Sequence, residues 1–293
     1  EFGAAINITS ATTGLVIPPS NILIVYSLAS GGASIAALFV AGYVPGILTG
    51  LFLMIVASFW AKKKGYKVGK RSSLKEIFSS FVDAVPALFL LVLVIGGIVA
   101  GIFTATEASA IAVLYSLILG YIYKEITLEK LPKIFLDSSA TTAIVMLLIG
   151  ASMSMSWVLS YEHIPQEIST GLLSISDNKI MILLLINVML LLVGIFMDIT
   201  PAVLIFTPIF LPVVTKLGID PVHFGVIMIL NLCIGLCTPP VGSVLFVGVG
   251  IAKTSIEKVV RPLLPLFVAM IVALFLITYI PELTLWLPGL FDL

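Results

Sequence analysis

The sequence GLVIPPSN at residues 14–21 is repeated with changes as GLCTPPVG at residues 235–242, and the proline pair in each copy indicates how the chain is organised. Phe-Gly and an apolar stretch precede each copy, and a second apolar stretch ending in Ser-Ile follows it. From the first glycine onward the copies align without a gap, at an offset of 221 residues. A proline pair interrupts a helix, because each proline lacks its N–H and its ring clashes with the carbonyl one turn earlier. Each copy therefore predicts two half-helices joined at a break, a pattern typical of binding sites in membrane transporters.

The composition indicates an integral membrane protein. Of the 293 residues, 60% are hydrophobic and 10% are charged, and the mean hydropathy is +1.24, whereas about a quarter of the residues in soluble domains are charged. The formal net charge of zero gives no indication of nucleic-acid binding. Cys233 and Cys237 share one apolar stretch, and their spacing favours small core residues over a disulfide or a zinc site.

Eight apolar stretches are candidates for the ~20-residue helices that cross a bilayer. They are residues 3–30, 38–60, 83–103, 106–123, 140–160, 180–215, 223–252 and 263–281. The short segments between them that are expected to lie along the membrane surface as arms are 31–37, 74–81, 127–137 and 253–262. The domains that follow from this division are 1–37 (first broken helix and arm), 38–82 (scaffold helix and basic loop), 83–179 (scaffold helices of the second repeat), 180–252 (reentrant hairpin and second broken helix) and 253–293 (arm and last scaffold helix).

The basic residues predict the orientation of these stretches. Lysine and arginine are concentrated in loops 62–75, 124–133 and 253–261, which are therefore cytoplasmic, whereas the acidic segment 161–179 lies outside. The predicted sides of all the loops agree with one another only if residues 180–215 enter and leave the membrane on the outer face, as a reentrant hairpin. The same assignment makes the two broken helices run in opposite directions, which is the inverted-repeat architecture of many secondary transporters.

The tip of this hairpin is expected in GIFMDITP at residues 194–201, where glycine and proline end one helix and open another. The first arm, 180–197, is long enough to cross the membrane alone, so the hairpin depends on the charge count. Asp198 is a carboxylate in an apolar setting, which is costly unless it is paired, solvated or bound to an ion. With Thr200 and the free carbonyls of broken helices it would suit Na⁺, or it would simply cap the following helix.

Three other polar features have two interpretations each. Glu107 follows two threonines between apolar helices, as expected either for a capped helix start or for a functional carboxylate. The polar side chains of residues 7–13 either bond back to their helix or line a cavity, and the cavity is favoured. Asn231 occupies the corresponding place in the second copy. The loop 62–75 is interpreted as an orientation signal that contacts lipid headgroups, and binding of a partner protein is the less favoured alternative.

Four motifs together resemble the large membrane subunit of tripartite ATP-independent periplasmic (TRAP) transporters. In chain order they are IPPS at 17–20, GIFTATEA at 101–108, GIFMD with Pro-Ala at 194–202, and TPPVG at 238–242. The resemblance extends along the whole sequence. The family's first reentrant hairpin and the helices before it have no counterpart here, so the resemblance predicts a sequence that lacks the N-terminal part of the subunit.

The resemblance implies an all-α, inverted-repeat transporter of the elevator type in the cytoplasmic membrane of a bacterium or archaeon. It implies Na⁺-driven uptake of an organic acid, such as sialic acid or a C4-dicarboxylate, with Na⁺ as the coupling ion and no other cofactor. The implied partners are a periplasmic substrate-binding protein, a small membrane subunit and the lipid bilayer.

The resemblance also implies site residues at matching positions. One Na⁺ site would use main-chain oxygens of Gly14, Val16 and Pro19, together with the family's first reentrant hairpin, which has no counterpart in this sequence. A second would use Asp198 with the region of Gly235, Cys237 and Pro240. The substrate carboxylate would lie near Ser20, Asn21 and Thr200.

Other functions remain open at this point. A Na⁺/carboxylate symporter of similar inverted-repeat design would work without a binding protein, and a channel-like subunit would give flux without Na⁺ coupling. An ATP-driven pump is not supported, because the sequence has no GxxxxGK[ST] loop. An intramembrane aspartyl hydrolase needs two paired carboxylates, and the candidates Asp198 and Glu107 lie in separate helices without a shared motif. The chain is therefore predicted not to be an enzyme.

Overall fold

A computed structural model describes residues 1–66, 72–175, 178–291 and 293. All regular secondary structure in these ranges is helical, which confirms the all-α prediction. The described helices are α1 (Phe2–Val16), α2 (Asn21–Ala29), α3 (Ile35–Lys64), α4 (Leu74–Val99), α5 (Ala105–Ile122), α6 (Leu131–Tyr161), α7 (Ile164–Ile175), α8 (Lys179–Phe196), α9 (Ile199–Lys216), α10 (Pro221–Leu236), α11 (Ser243–Ile251), α12 (Ile256–Tyr279) and α13 (Glu282–Leu290).

The length and composition of the helices confirm a multi-pass membrane protein. In the described part of the chain seven helices are long and apolar enough to cross a bilayer, namely α3, α4, α5, α6, α8, α9 and α12. The pair α1 and α2 makes an eighth span if the two helices are counted together, and the chain bends by 52° between them. Because α8 and α9 each pass this test alone, the re-entry of the hairpin stays a prediction.

Both proline pairs break a helix where the sequence predicts it. α1 ends at Val16 and α2 begins at Asn21, while α10 ends at Leu236 and α11 begins at Ser243. The bond between the two prolines is cis in both copies. The Ser-Ile that ends each copy begins the next helix, α3 at Ile35 and α12 at Ile256. Each copy therefore consists of two half-helices and leads into a third helix, giving α1, α2 and α3 in the first and α10, α11 and α12 in the second.

The two copies pack antiparallel, as an inverted repeat requires. Ile8, early in the first copy, contacts the backbone of α11 at Gly248, which is late in the second copy. Conversely Tyr26, late in the first copy, donates a hydrogen bond to the carbonyl of Pro221 at 2.7 Å, at the start of the second. Its ring also lies against Gly225.

α8 and α9 form an antiparallel hairpin whose tip is Met197 and Asp198. Gly194, at the end of α8, contacts Gly235 at the end of α10, and Asn187 bonds to Asn231 earlier along both helices, so these two helices run in the same direction. α9 runs the other way, since only residues 217–220 separate its end from the start of α10. A contact between Thr207 and Met228 then joins the middle of α9 to the middle of α10, with the hydroxyl 3.4 Å from the sulfur.

The predicted arms are largely not separate elements. Residues 74–81 are the first turns of α4, where Ser73 and Glu76 form a complete capping box at the helix start. α3 begins at Ile35, α6 at Leu131 and α12 at Ile256, so the other three segments also run into the helices that follow them. The predicted arms are thus wholly or partly the first turns of longer helices, and their placement along the membrane surface stays a prediction. The helices α7 and α13 were not predicted.

The chain divides into two compact units. The first consists of Glu1–Lys64 and Ile149–Leu293, and it contains both repeat copies and the α8–α9 hairpin. The second is Gly65–Leu148, in which α4 and α5 pack together. In this second unit the hydroxyl of Tyr115 donates a hydrogen bond to the carbonyl of Pro86 at 2.7 Å.

We expect Gly225→Ala to destabilise the protein by about 1–3 kcal/mol, because the new methyl group would enter a packed core. A Cβ at Gly225 would lie 2.7 Å from Cδ1 and 2.8 Å from Cζ of Tyr26. Gly3 is the repeat-equivalent glycine and has no atom within 4 Å of the same position, so Gly3→Ala is the matched control. Thermal melting of the purified protein measures both, and equal melting temperatures for the two variants would contradict the packing described.

Candidate cation and substrate site at the helix breaks

The first break frees main-chain carbonyls at the end of α1. In a continuous helix the carbonyls of Gly14 and Leu15 would accept from the residues four positions later, which are Pro18 and Pro19 and carry no N–H. The carbonyl of Leu15 instead accepts the hydroxyl of Ser20 at 2.5 Å. No described residue donates a hydrogen bond to the carbonyl of Gly14.

The other predicted residues of the first break differ in their exposure. Val16 is buried, and its carbonyl lies against the backbone of Gly42 in α3. Pro19 and Asn21 are exposed, while Ser20 is only 3% exposed. Of the predicted substrate contacts in this break, Asn21 is therefore the accessible one, whereas the hydroxyl of Ser20 is engaged with its own helix end.

The second break leaves a different carbonyl free. Pro239 and Pro240 remove the helical donors of Gly235 and Leu236, but the N–H of Thr238 bonds to the carbonyl of Gly235 at 2.9 Å. The position equivalent to Ser20 is Val241, which has no hydroxyl. No described residue donates to the carbonyl of Leu236.

Cys237 and Gly242 hold the loop of the second break in place. The buried thiol of Cys237 lies 3.3 Å from the carbonyl of Ile8, which joins this break to α1. Gly242 has a φ of +29°, and a Cβ there would lie 2.6 Å from the carbonyl oxygen of Leu236 and 2.8 Å from that of Thr238. Only glycine fits this position without displacing those carbonyls. Both cysteines are buried, as the interpretation of small core residues predicts.

Asp198 occupies the N-cap position of α9 without capping it. Its backbone has the extended conformation of a cap, yet its side chain accepts no hydrogen bond from the helix. By contrast, the carboxylate of Asp220 caps α10 by accepting from the N–H of Val222 at 2.7 Å. The interpretation of Asp198 as a simple cap is therefore wrong, and its exposed carboxylate remains available to another partner.

The hairpin tip packs directly on the second break. The N–H of Gly242 donates to the carbonyl of Ile195 at 3.1 Å, three residues before Asp198. Gly194 and Gly235 touch backbone to backbone on the same side. The structure thus brings the end of α8, three to four residues before Asp198, onto Gly242 and Gly235. The ion site that the resemblance implies from Asp198 and the region of Gly235, Cys237 and Pro240 stays a prediction.

The N-terminal ends of α2 and α9 point the same way. Both helices run toward the start of α10, where Tyr26 bonds to Pro221 and where α9 is followed by a short loop. Leu28 in α2 lines a cavity together with Leu204 in α9, so the two helices are neighbours. Asn21 and Thr200, each in the first turn of its helix, therefore lie at the same end of this pair.

A buried polar chain links α8, α10 and α12 below the hairpin tip. The amide of Asn231 donates to the side-chain oxygen of Asn187 at 2.7 Å and to its main-chain carbonyl at 2.9 Å. Asn187 in turn donates to the hydroxyl of Thr278 at 3.2 Å. The side-chain oxygen of Asn231 has no partner among the described residues. Asn187 and Thr278 were missed from the sequence because each is an isolated polar residue within the apolar part of its helix.

The remaining polar features have simple structural roles. Glu107 forms a complete capping box with Thr104, whose N–H donates to the carboxylate at 2.8 Å, as expected for a capped helix start. Along α1 both predicted alternatives hold. Thr9, Ser10 and Thr13 donate to carbonyls of their own helix, and the same residues line a cavity of about 260 Å³ between α1, α3 and α12.

These features define an all-helical, multi-pass membrane protein with inverted, broken-helix repeats, the architecture of secondary-transporter subunits. Comparison with known protein families shows to which family of such subunits the chain belongs. The chain belongs to the family described as the DctM component of tripartite ATP-independent periplasmic transporters, whose model matches residues 1–283. It is accordingly a large TRAP permease of the inner membrane and not an enzyme, as the resemblance predicts.

Individual relatives match almost the whole chain. It is 59% identical over 290 residues to the uncharacterized protein YgiK of Salmonella typhimurium, covering 99% of this chain and 67% of that protein. It is 41% identical over 290 residues to the isethionate TRAP transporter permease DctMQ of Oleidesulfovibrio alaskensis, covering 98% and 46%. It is 40% identical over 289 residues to the C4-dicarboxylate TRAP transporter large permease DctM of Pseudomonas aeruginosa, covering 98% and 67%. The chain thus spans about two thirds of two of these relatives and under half of the other.

Proposed function

We propose that this chain carries an organic acid across the cytoplasmic membrane by Na⁺ symport, as part of a large TRAP permease. A periplasmic binding protein delivers the acid, and a small membrane subunit supports the permease. The observation that carries this proposal is the uncapped carboxylate of Asp198 beside the second helix break, where the carbonyl of Leu236 also has no donor.

The second break is suited to a hard cation. Carboxylate and carbonyl oxygens are the ligands that such cations prefer, and the last carbonyls of a helix carry partial negative charge. In an apolar setting a carboxylate without a partner is costly, and a bound Na⁺ would remove that cost. The first break offers a second, chemically different cation site built from main-chain oxygens, at the carbonyl of Gly14 with Val16 and Pro19 beside it.

The helix starts at Asn21 and Thr200 are suited to the carboxylate of the substrate. The first N–H groups of a helix have no partner within the helix, and the positive end of its dipole attracts anions. Two such starts at one end of a helix pair would bind one anionic group between them. C4-dicarboxylates and sialic acid are carboxylates, and isethionate is a sulfonate, so each named class supplies such a group.

We further propose an elevator mechanism in which the broken helix at 1–37 and the hairpin with the second broken helix at 180–252 move as one body against the scaffold helices. This body holds both breaks and the hairpin, so it contains all the proposed ion and substrate groups. A ligand shifts an equilibrium only by its differential affinity for the two states. Na⁺ at the breaks would order the half-helix ends, the ordered site would accept the anion, and the loaded body would move.

Uptake of radiolabelled organic acid into proteoliposomes tests this function. The complete permease and its small partner are reconstituted, with and without an inward Na⁺ gradient and with and without the cognate binding protein. We expect uptake only when both are present. Uptake with Na⁺ alone would place the chain among symporters that work without a binding protein, and uptake with neither would indicate a channel-like subunit.

Asp198→Asn should abolish Na⁺-dependent uptake, because the amide keeps the shape of the side chain but loses the charge that holds the cation. Asp220→Asn is the matched control, since asparagine caps a helix about as well as aspartate and Asp220 serves as a cap. Uptake and the Na⁺-dependent rise in melting temperature are measured for both variants. A folded Asp198→Asn protein with the Na⁺ response of the wild type would refute the assignment of Asp198.

A further inference from the structure

The hairpin and the second broken helix meet at a point where neither helix has room for a side chain. A Cβ at Gly235 would lie 2.6 Å from both Cα and the carbonyl carbon of Gly194. A Cβ at Gly194 would lie 3.1 Å from Cα of Gly235 and 3.1 Å from the carbonyl oxygen of Leu232. Both glycines are buried inside regular helices, so their small size is required by this contact and not by a turn.

A hydrogen bond and a polar anchor fix the same two elements on either side of this contact. Toward the tip, the N–H of Gly242 donates to the carbonyl of Ile195 at 3.1 Å. Two turns back along α8, Asn187 accepts two hydrogen bonds from Asn231 of α10. The tip of the hairpin is therefore held against the second break by main-chain contacts.

This contact lies close in sequence to both groups of the proposed site. Asp198 follows Gly194 by four residues, and Leu236 follows Gly235 by one. A side chain that separates α8 from α10 at the glycines would shift the hairpin tip, and Asp198 with it, relative to the second break. Cation affinity depends on the spacing of its oxygen ligands.

We propose that Gly194 and Gly235 are positioning residues that set the Na⁺ affinity of the proposed site, an inference that rests on the proposed Na⁺ coupling. Neither glycine has a side chain that could bind an ion. Alanine at either position keeps every carboxylate and carbonyl oxygen of the site. A loss of Na⁺ affinity in such variants would therefore result from ligand spacing and not from a lost ligand.

Three alanine variants of the complete permease form a graded series. Gly235→Ala creates the closest contact, Gly194→Ala a milder one, and Gly250→Ala none, because no atom lies within 4 Å of a Cβ at Gly250 in the adjacent helix α11. We expect the Na⁺ concentration for half-maximal effect to rise roughly tenfold for Gly235→Ala and about threefold for Gly194→Ala, since displacements of ~1 Å have large effects on a preorganised site. Gly250→Ala should behave as the wild type.

The readout is the Na⁺-dependent rise in melting temperature, measured against choline, with Na⁺-dependent uptake as the second readout. A ligand that binds the native state raises stability according to its concentration relative to its dissociation constant. A folded Gly194→Ala protein whose Na⁺ response equals that of Gly250→Ala would overturn the inference. If the wild type itself shows no Na⁺ response, the proposed Na⁺ coupling fails and the inference fails with it, which is a distinct result.

Hydrogen exchange of the wild type provides a test that needs no variant. We expect Na⁺ to slow deuterium uptake in residues 194–199 and 236–242 together, because the bond from Gly242 to Ile195 joins them. Protection of one segment without the other would mean that the two elements are not coupled, and would also overturn the inference.

Discussion

The structure depends on one chemical constraint, the absence of an N–H in proline. Two consecutive prolines leave two carbonyls at the end of a half-helix without their helical donors. In a membrane protein such carbonyls need another partner, because lipid offers no hydrogen bonds. The chain places this constraint in two antiparallel copies and packs a helical hairpin on the second. The proposed ion sites lie at the break carbonyls to which no described residue donates a hydrogen bond.

The two copies differ in which break carbonyls receive a hydrogen bond from the protein. In the first, the hydroxyl of Ser20 replaces the missing donor and donates a hydrogen bond to the carbonyl of Leu15. In the second, the equivalent residue is Val241, and the carbonyl of Leu236 has no donor among the described residues. The hairpin that carries Asp198 packs on the second break through the bond from Gly242 to Ile195. The two proposed cation sites are therefore chemically different although the repeat sequences align without a gap.

Local chemistry explains which features could be predicted from the sequence. The breaks and the antiparallel repeats follow from proline geometry and from the distribution of basic residues, and both can be recognised along a single chain. The contact of Gly194 with Gly235 could not be predicted, because a glycine in an apolar helix gives no sign of its tertiary partner. The same holds for Asn187, which only the packed structure joins to Asn231. The continuous helix α4 was missed because the polar residues after Ser73 resemble a surface segment.

In the proposed mechanism a cation binds between the hairpin tip and the second break. Cryo-EM maps of the complete permease with its small partner, prepared in Na⁺ and in choline, would show this cation. We expect a density present only in Na⁺, within ligand distance of the carboxylate of Asp198 and the carbonyl of Leu236. Identical maps at this position, or a Na⁺-dependent density that neither oxygen contacts, would contradict the proposed mechanism.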